Sequence, residues 1–192
     1  MSSFRKNGYT LIELLVVIAL LAGLSAVLLL NGAESRNLVQ LQTSAQQLES
    51  ALTQAQAYGN SGRAFPAGTD KFDSGFGVFV TTASPKNIRI YGGLGDTSPS
   101  NGLIEEGEEK YTVATQNFEL IQLGGDVQIG GIRGISPNAN ASEGHVLFRR
   151  GESEAHIYTN NQTPDGLRIT LASGSASIDV VINKAGLIYI DQ

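Results

Sequence analysis

The chain has 192 residues, 41% apolar and 16% charged, with a formal net charge of −5 and no cysteine. That length suits one folded domain plus an appendage. The missing cysteine excludes a disulfide framework and a thiolate metal site, and the acidic balance argues against broad attraction to phosphate backbones. Gly is abundant at 23 residues, Trp is absent and Met occurs only at position 1, a composition that fits a turn-rich β domain.

Residues 11–30 are almost continuously apolar, interrupted only by Glu13, Gly23 and Ser25. At about 1.5 Å per residue this stretch reaches roughly 30 Å as a helix, the depth of a bilayer core, so a membrane span is expected. Arg5 and Lys6 precede it and no basic residue follows until Arg36. The positive-inside rule therefore keeps residues 1–8 cytoplasmic and sends the rest outward. A cleaved secretory signal fits less well, because Val27 and Leu28 to Leu30 continue the apolar run past the small residues Gly23, Ser25 and Ala26. A plain membrane anchor is the ordinary reading. Against it stands Glu13, whose carboxylate in an apolar span is costly and calls for a cationic partner. Cleavage between Gly8 and Tyr9 would expose an α-amino group near Glu13, and a neighbouring copy of the chain could present that amine in a staggered helix bundle. Gly8 suits a protease that grips extended backbone closely.

The run Lys6-Asn7-Gly8-Tyr9-Thr10-Leu11-Ile12-Glu13-Leu14-Leu15-Val16-Val17-Ile18-Ala19 resembles the class III signal of type IV pilins and type II secretion pseudopilins. The resemblance covers roughly the first 30 residues and implies a prepilin-like structural subunit rather than an enzyme. Gly8 would be the last leader residue, Tyr9 the N-methylated new terminus, and Glu13 the fifth residue of the mature chain, which directs assembly. The family usually has Phe where Tyr9 stands, and its major pilins often carry a Pro where this chain has Leu30. The implied partners are a prepilin peptidase, other pilin or pseudopilin subunits, an inner-membrane assembly platform, and the lipid bilayer before assembly. The implied location is single-pass in the cytoplasmic membrane with the C-terminal domain extracytoplasmic, then the filament. Losing Arg5 and Lys6 with the leader would leave 11 of the 13 basic side chains against 18 acidic ones, a net −7.

After Asn31-Gly32 the pattern turns amphipathic, with Leu38, Leu41, Ala45, Leu48, Leu52 and Ala55 on one helical face. Such a stripe is most often the contact between a helix and its own sheet. Gly59 and Gly62 supply a stop signal, so the helix is expected from near Tyr9 to about Tyr58. Beyond it, short strands are expected at 76–81, 87–91, 118–123, 127–133, 145–149, 155–159, 167–172, 177–183 and 187–190, the last three as an antiparallel meander. Residues 92–109 and 136–144 read as surface loops. The expected fold is α+β and pilin-like, a long N-terminal helix with a membrane-spanning first half packed on an antiparallel sheet. Its parts are a leader (1–8), a transmembrane or filament-core half-helix (9–32), an amphipathic half-helix (33–58) and a β-rich domain (59–192). The passage from Arg36-Asn37-Leu38-Val39 to Ala55-Gln56-Ala57-Tyr58 and then Gly75-Phe76-Gly77-Val78 resembles the GspH/FimT-like branch of minor pilins and pseudopilins, which implies a minor component.

Other chemistry finds little in the residues. His145 and His156 each sit in an expected strand, without an HExxH pair. Ser173, Ser175 and Ser177 lie by a turn rather than in a nucleophile elbow, and Gly92-Gly93-Leu94-Gly95 lacks the lysine of a phosphate loop. Asp96, Glu105 and Glu108, with Ser98, Ser100, Asn101 and Glu106, loosely resemble a calcium loop. The central Gly102 is displaced by one position, and a solvated acidic loop is the ordinary reading. No other cofactor is expected. Some related minor pilins bind DNA during natural transformation, which makes a competence-pilus DNA binder the alternative function. Such binding needs clustered cations, and Arg149-Arg150 is the only adjacent basic pair beyond the leader; nucleic acid is not the expected partner.

Overall fold

The computed structural model describes residues 10–61, 75–92, 117–149, 151–152, 154–160 and 162–191, the side chains of 27–35 and 117–118 excepted. One helix, α1 (Leu11–Ser61), precedes ten strands among the described residues: β1 (Phe76–Thr81), β2 (Asn87–Gly92), β3 (Asn117–Gln122), β4 (Gln128–Ile135), β5 (Asn140–Ala141), β6 (Glu143–Phe148), β7 (Ala155–Thr159), β8 (Gly166–Ser173), β9 (Ala176–Asn183) and β10 (Ile188–Asp191). The chain divides into two compact units, Met1–Arg36 and Asn37–Gln192.

The first unit holds the apolar beginning of α1. Its described side chains are exposed all round, from Leu11 at 81% to Leu24 at 64%. Among the described residues, no helix is long and apolar enough to cross a membrane. The membrane-spanning half-helix expected from the sequence is therefore corrected, and the single-pass placement in the cytoplasmic membrane, which depended on it, is corrected with it. The physical reason is that α1 does not stay apolar along its length. Farther along, exposed Gln40, Gln42, Thr43, Gln46 and Gln47 make the helix polar.

In the second unit the stripe on α1 becomes a core element. Leu41, Ala45, Leu48, Leu52 and Ala55 are buried, joined by Ser44 and Ala51, while Leu38 at the start of the stripe is half exposed. The helix runs to Ser61, past the glycine expected to stop it. Gly59 has a different task. A Cβ there would lie 2.5 Å from the Phe148 carbonyl oxygen, so the missing side chain lets the helix backbone touch β6.

The expectation of one antiparallel sheet is also corrected, because the strands form two. The first has the order β3-β2-β1-β6-β7 and the second β10-β9-β8-β4-β5, every pairing antiparallel. Both need a buried face, and one core cluster supplies it, joining the α1 stripe to Phe76, Val78, Ile88, Ile90 and Val146 of the first sheet and to Ile132, Leu167, Ile169, Val180 and Ile182 of the second. The period-2 alternation of β8, with Leu167, Ile169 and Leu171 buried and Arg168 and Thr170 partly exposed, shows how the sequence sets the inner face. The first sheet buries residues on its other face too: Phe79, Tyr91 and Leu147 form a small cluster. There Tyr91 covers Gly77, where a Cβ would meet the Tyr91 ring at 2.7 Å.

Candidate functional site

The helix start is built by two residues. Thr10 precedes the first helical residue and its carbonyl accepts from Leu14 N–H at 3.2 Å. The Glu13 backbone N–H donates to Thr10 Oγ1 at 3.3 Å, while the Thr10 N–H and hydroxyl both donate to Glu13 Oε2 at 3.0 Å. This is a reciprocal capping box. It satisfies orphan N–H groups at the helix start and sets a negative charge at the positive end of the helix dipole. The bonds from the Thr10 backbone, then from its hydroxyl, hold the fully exposed Glu13 carboxyl below its ordinary pKa. The T-x-x-E spacing of Thr10-Leu11-Ile12-Glu13 carried this signal in the sequence. Reading Glu13 only as an acid in need of a cation missed it.

Glu13 uses only Oε2 in this box, and its Oε1 has no partner among the described residues. Arg5, Lys6, Gly8 and Tyr9 lie outside the described residues, as do Asp96, Glu105 and Glu108 of the calcium-loop candidate. No group of three or more His, Cys, Asp or Glu side chains that could hold a metal ion occurs among the described residues.

The structure separates the two histidines. His145 is buried on β6, its ring 4.7 Å from that of Phe79 and edge-on to Tyr91 at 6.5 Å. It is part of the aromatic packing over the first sheet. His156 on β7 hydrogen-bonds the Glu152 carboxylate. Arg149 is only 17% exposed and stands 3.7 Å from the same Glu152, so the described half of the Arg149-Arg150 pair is drawn toward an acid. Ser173 is buried at the end of β8, and Ser177 lies exposed on β9.

One constellation had no signal in the linear sequence. Arg168 on β8 donates from Nη1 to Asp179 on β9 at 2.6 Å and to Asp191 on β10 at 3.2 Å. The hydrogen bond that Arg168 donates to Asp179 is the first cause that raises the Arg168 pKa further above its ordinary value. Residues 11 and 23 positions apart meet only because three antiparallel strands stand in register.

Comparison with known families places residues 3–29 in the prokaryotic N-terminal methylation motif. The chain thus carries a prepilin-type N-terminal motif, consistent with the type IV pilin and pseudopilin superfamily in general. No curated protein and no solved structure matches the chain.

Proposed function

We propose that this chain is a structural filament subunit of the type IV pilus or type II secretion pseudopilus kind, trimmed between Gly8 and Tyr9 by a prepilin peptidase, N-methylated on Tyr9, and assembled through its N-terminal helix. The methylation motif over residues 3–29, with Glu13 in the first turn of α1, is the observation that carries this reading. Two features of the helix support it. Its described apolar side chains face outward all round, a surface that in water calls for cover by other apolar groups. Copies of the same helix would supply that cover, each buried Å² contributing about 25 cal/mol. Glu13, with Oε2 engaged by Thr10 and Oε1 without a partner among the described residues, would accept from the terminal amine of a neighbouring copy without losing its role at the helix start. Other pilin-like subunits and an assembly platform are the partners this requires.

Two variants test the reading in the native host, with chain length on a gel and filament yield as readouts. Gly8→Val is expected to leave the leader attached. Glu13→Val is expected to be trimmed normally and to give few filaments. Normal trimming of the first variant, or normal filaments from the second, would refute the corresponding step.

A further inference from the structure

The outer face of the second sheet carries two arginines and two aspartates that are unevenly paired. In the register of β4, β8 and β9, Arg133 stands directly opposite Arg168, while Thr170 lies between Gly131 and Asp179. Like charges facing each other on adjacent strands are destabilising unless each finds a counter-charge. Arg168 finds two, in Asp179 and Asp191. Arg133 finds a neutral group: its Nε donates to Asn140 Oδ1 at 3.1 Å, and its terminal nitrogens have no acceptor among the described residues. The Asn140 bond orients the guanidinium and leaves its two-pronged end open.

That guanidinium, exposed to solvent, lines a notch of about 550 Å³ together with Gly131, Asn140, Thr170 and the Arg168–Asp179 pair. Gly131 is a second, independent observation. Its backbone is not in the left-handed region, and a Cβ there would meet Thr170 no closer than 3.9 Å, an ordinary contact. Neither a left-handed backbone nor packing requires glycine at this position, which stands at the register shift between Ile129 and Gly131 where β4 pairs with β8. Its effect is to keep a side chain off the floor of the notch, beside the open guanidinium.

We infer that this notch is a binding site for a carboxylate, held in two-pronged fashion by the terminal nitrogens of Arg133. Planar carboxylates match the guanidinium fork, and such charge-assisted pairs are the stronger class of hydrogen bond. The surroundings select a monoanion. Arg133 and Arg168 are balanced by Asp179 and Asp191 on the same face, so a dianion or a polyanion meets two carboxylates as well as two cations. Among the described residues, the lining includes no aromatic ring on which a nucleic-acid base could stack. The carboxylate can come from an acidic side chain of a protein segment or from a free small organic acid.

The inference is independent of filament formation and is tested on the unassembled full-length chain. The probes are the capped peptide acetyl-Ala-Glu-Ala-amide, its Gln twin, and free butyrate, each titrated at low salt and followed by chemical-shift changes. The expected result is saturable binding of the Glu peptide or of butyrate, none of the Gln twin, and loss of roughly tenfold or more in affinity in Arg133→Gln. Arg133→Lys keeps the charge without the fork and is expected to weaken binding as well. Gly131→Val, which fills the floor and leaves the guanidinium in place, is expected to block it. Binding of the peptide alone assigns the site to a protein ligand, and binding of butyrate alone to a free acid. Failure of the wild-type chain to bind either carboxylate, equal binding of the Gln twin, or unchanged affinity in a folded Arg133→Gln chain would overturn the inference.

Discussion

Replacing Gly59 by Ala sets two effects of opposite sign against each other. Helix propensity alone favours Ala over Gly by about 1 kcal/mol in a helix interior. The structure opposes this, because the new methyl would lie 2.5 Å from the Phe148 carbonyl oxygen and 2.8 Å from its carbon. These are backbone atoms of β6, which is paired with β1 on one side and β7 on the other, so they cannot retreat without disturbing two ladders. Overpacking of this kind costs about 1–3 kcal/mol, and contact with fixed backbone belongs at the upper end. The expected net effect is destabilisation by about 2 kcal/mol, a fall in Tm of roughly 4–8 °C at the scale for a unit of this size. Thermal and urea unfolding followed by circular dichroism would measure it. Gly23→Ala is the matched control: a Cβ there meets nothing within 4 Å, so the unfolding of the second unit is expected to stay unchanged. A Gly59→Ala chain as stable as wild type, or more stable, would refute the close-approach account of this glycine.

Leu48→Ala, at a fully buried position of the α1 stripe, is expected to cost about 2–5 kcal/mol, whereas Leu38→Ala, half exposed, is expected to cost well under that; urea titration of both variants measures the difference. Arg168→Met leaves Asp179 and Asp191 facing each other across β9 and β10 without their cation and, because the arginine is about a third exposed, is expected to cost only about 0.5–1 kcal/mol. The folded-state pKa of Arg168 is raised, so its contribution is present below the ordinary arginine pKa and lost only in strong alkali. The stability difference between this variant and wild type should therefore stay flat from pH 6 to 9 and shrink with added salt.

Local signals were legible in the sequence, and signals that depend on register were not. β1 and β7 fall where alternation and flanking turn residues placed them, and β8 to β10 form the expected meander, because each strand announces itself over a few residues. β5 did not, since two residues pairing only with Ile132 and Arg133 leave no period to read. The division into two sheets was hidden for a related reason. Alternation tells which face of a strand is buried and not which strand lies beside it, and β4 pairs with β8 across a long stretch of chain. Gly59 was read as a helix stop because a glycine near a helix end usually is one, whereas its contact with Phe148 belongs to tertiary structure. At the helix start, Glu13 was found from its isolation in apolar sequence, and its partner Thr10 was in plain view three residues earlier. The Arg168–Asp179–Asp191 group and the open fork of Arg133 exist only once β4, β8, β9 and β10 are aligned, so neither could be read from spacing.

The central claim is that the chain is processed at its prepilin-type motif, and the intact mass of the protein recovered from its own cells tests this most directly. The account expects a chain beginning at Tyr9, lighter by residues 1–8 and heavier by one methyl group on the new terminus. A functional chain that still carries Met1 through Gly8, with an unmodified Tyr9, would contradict it.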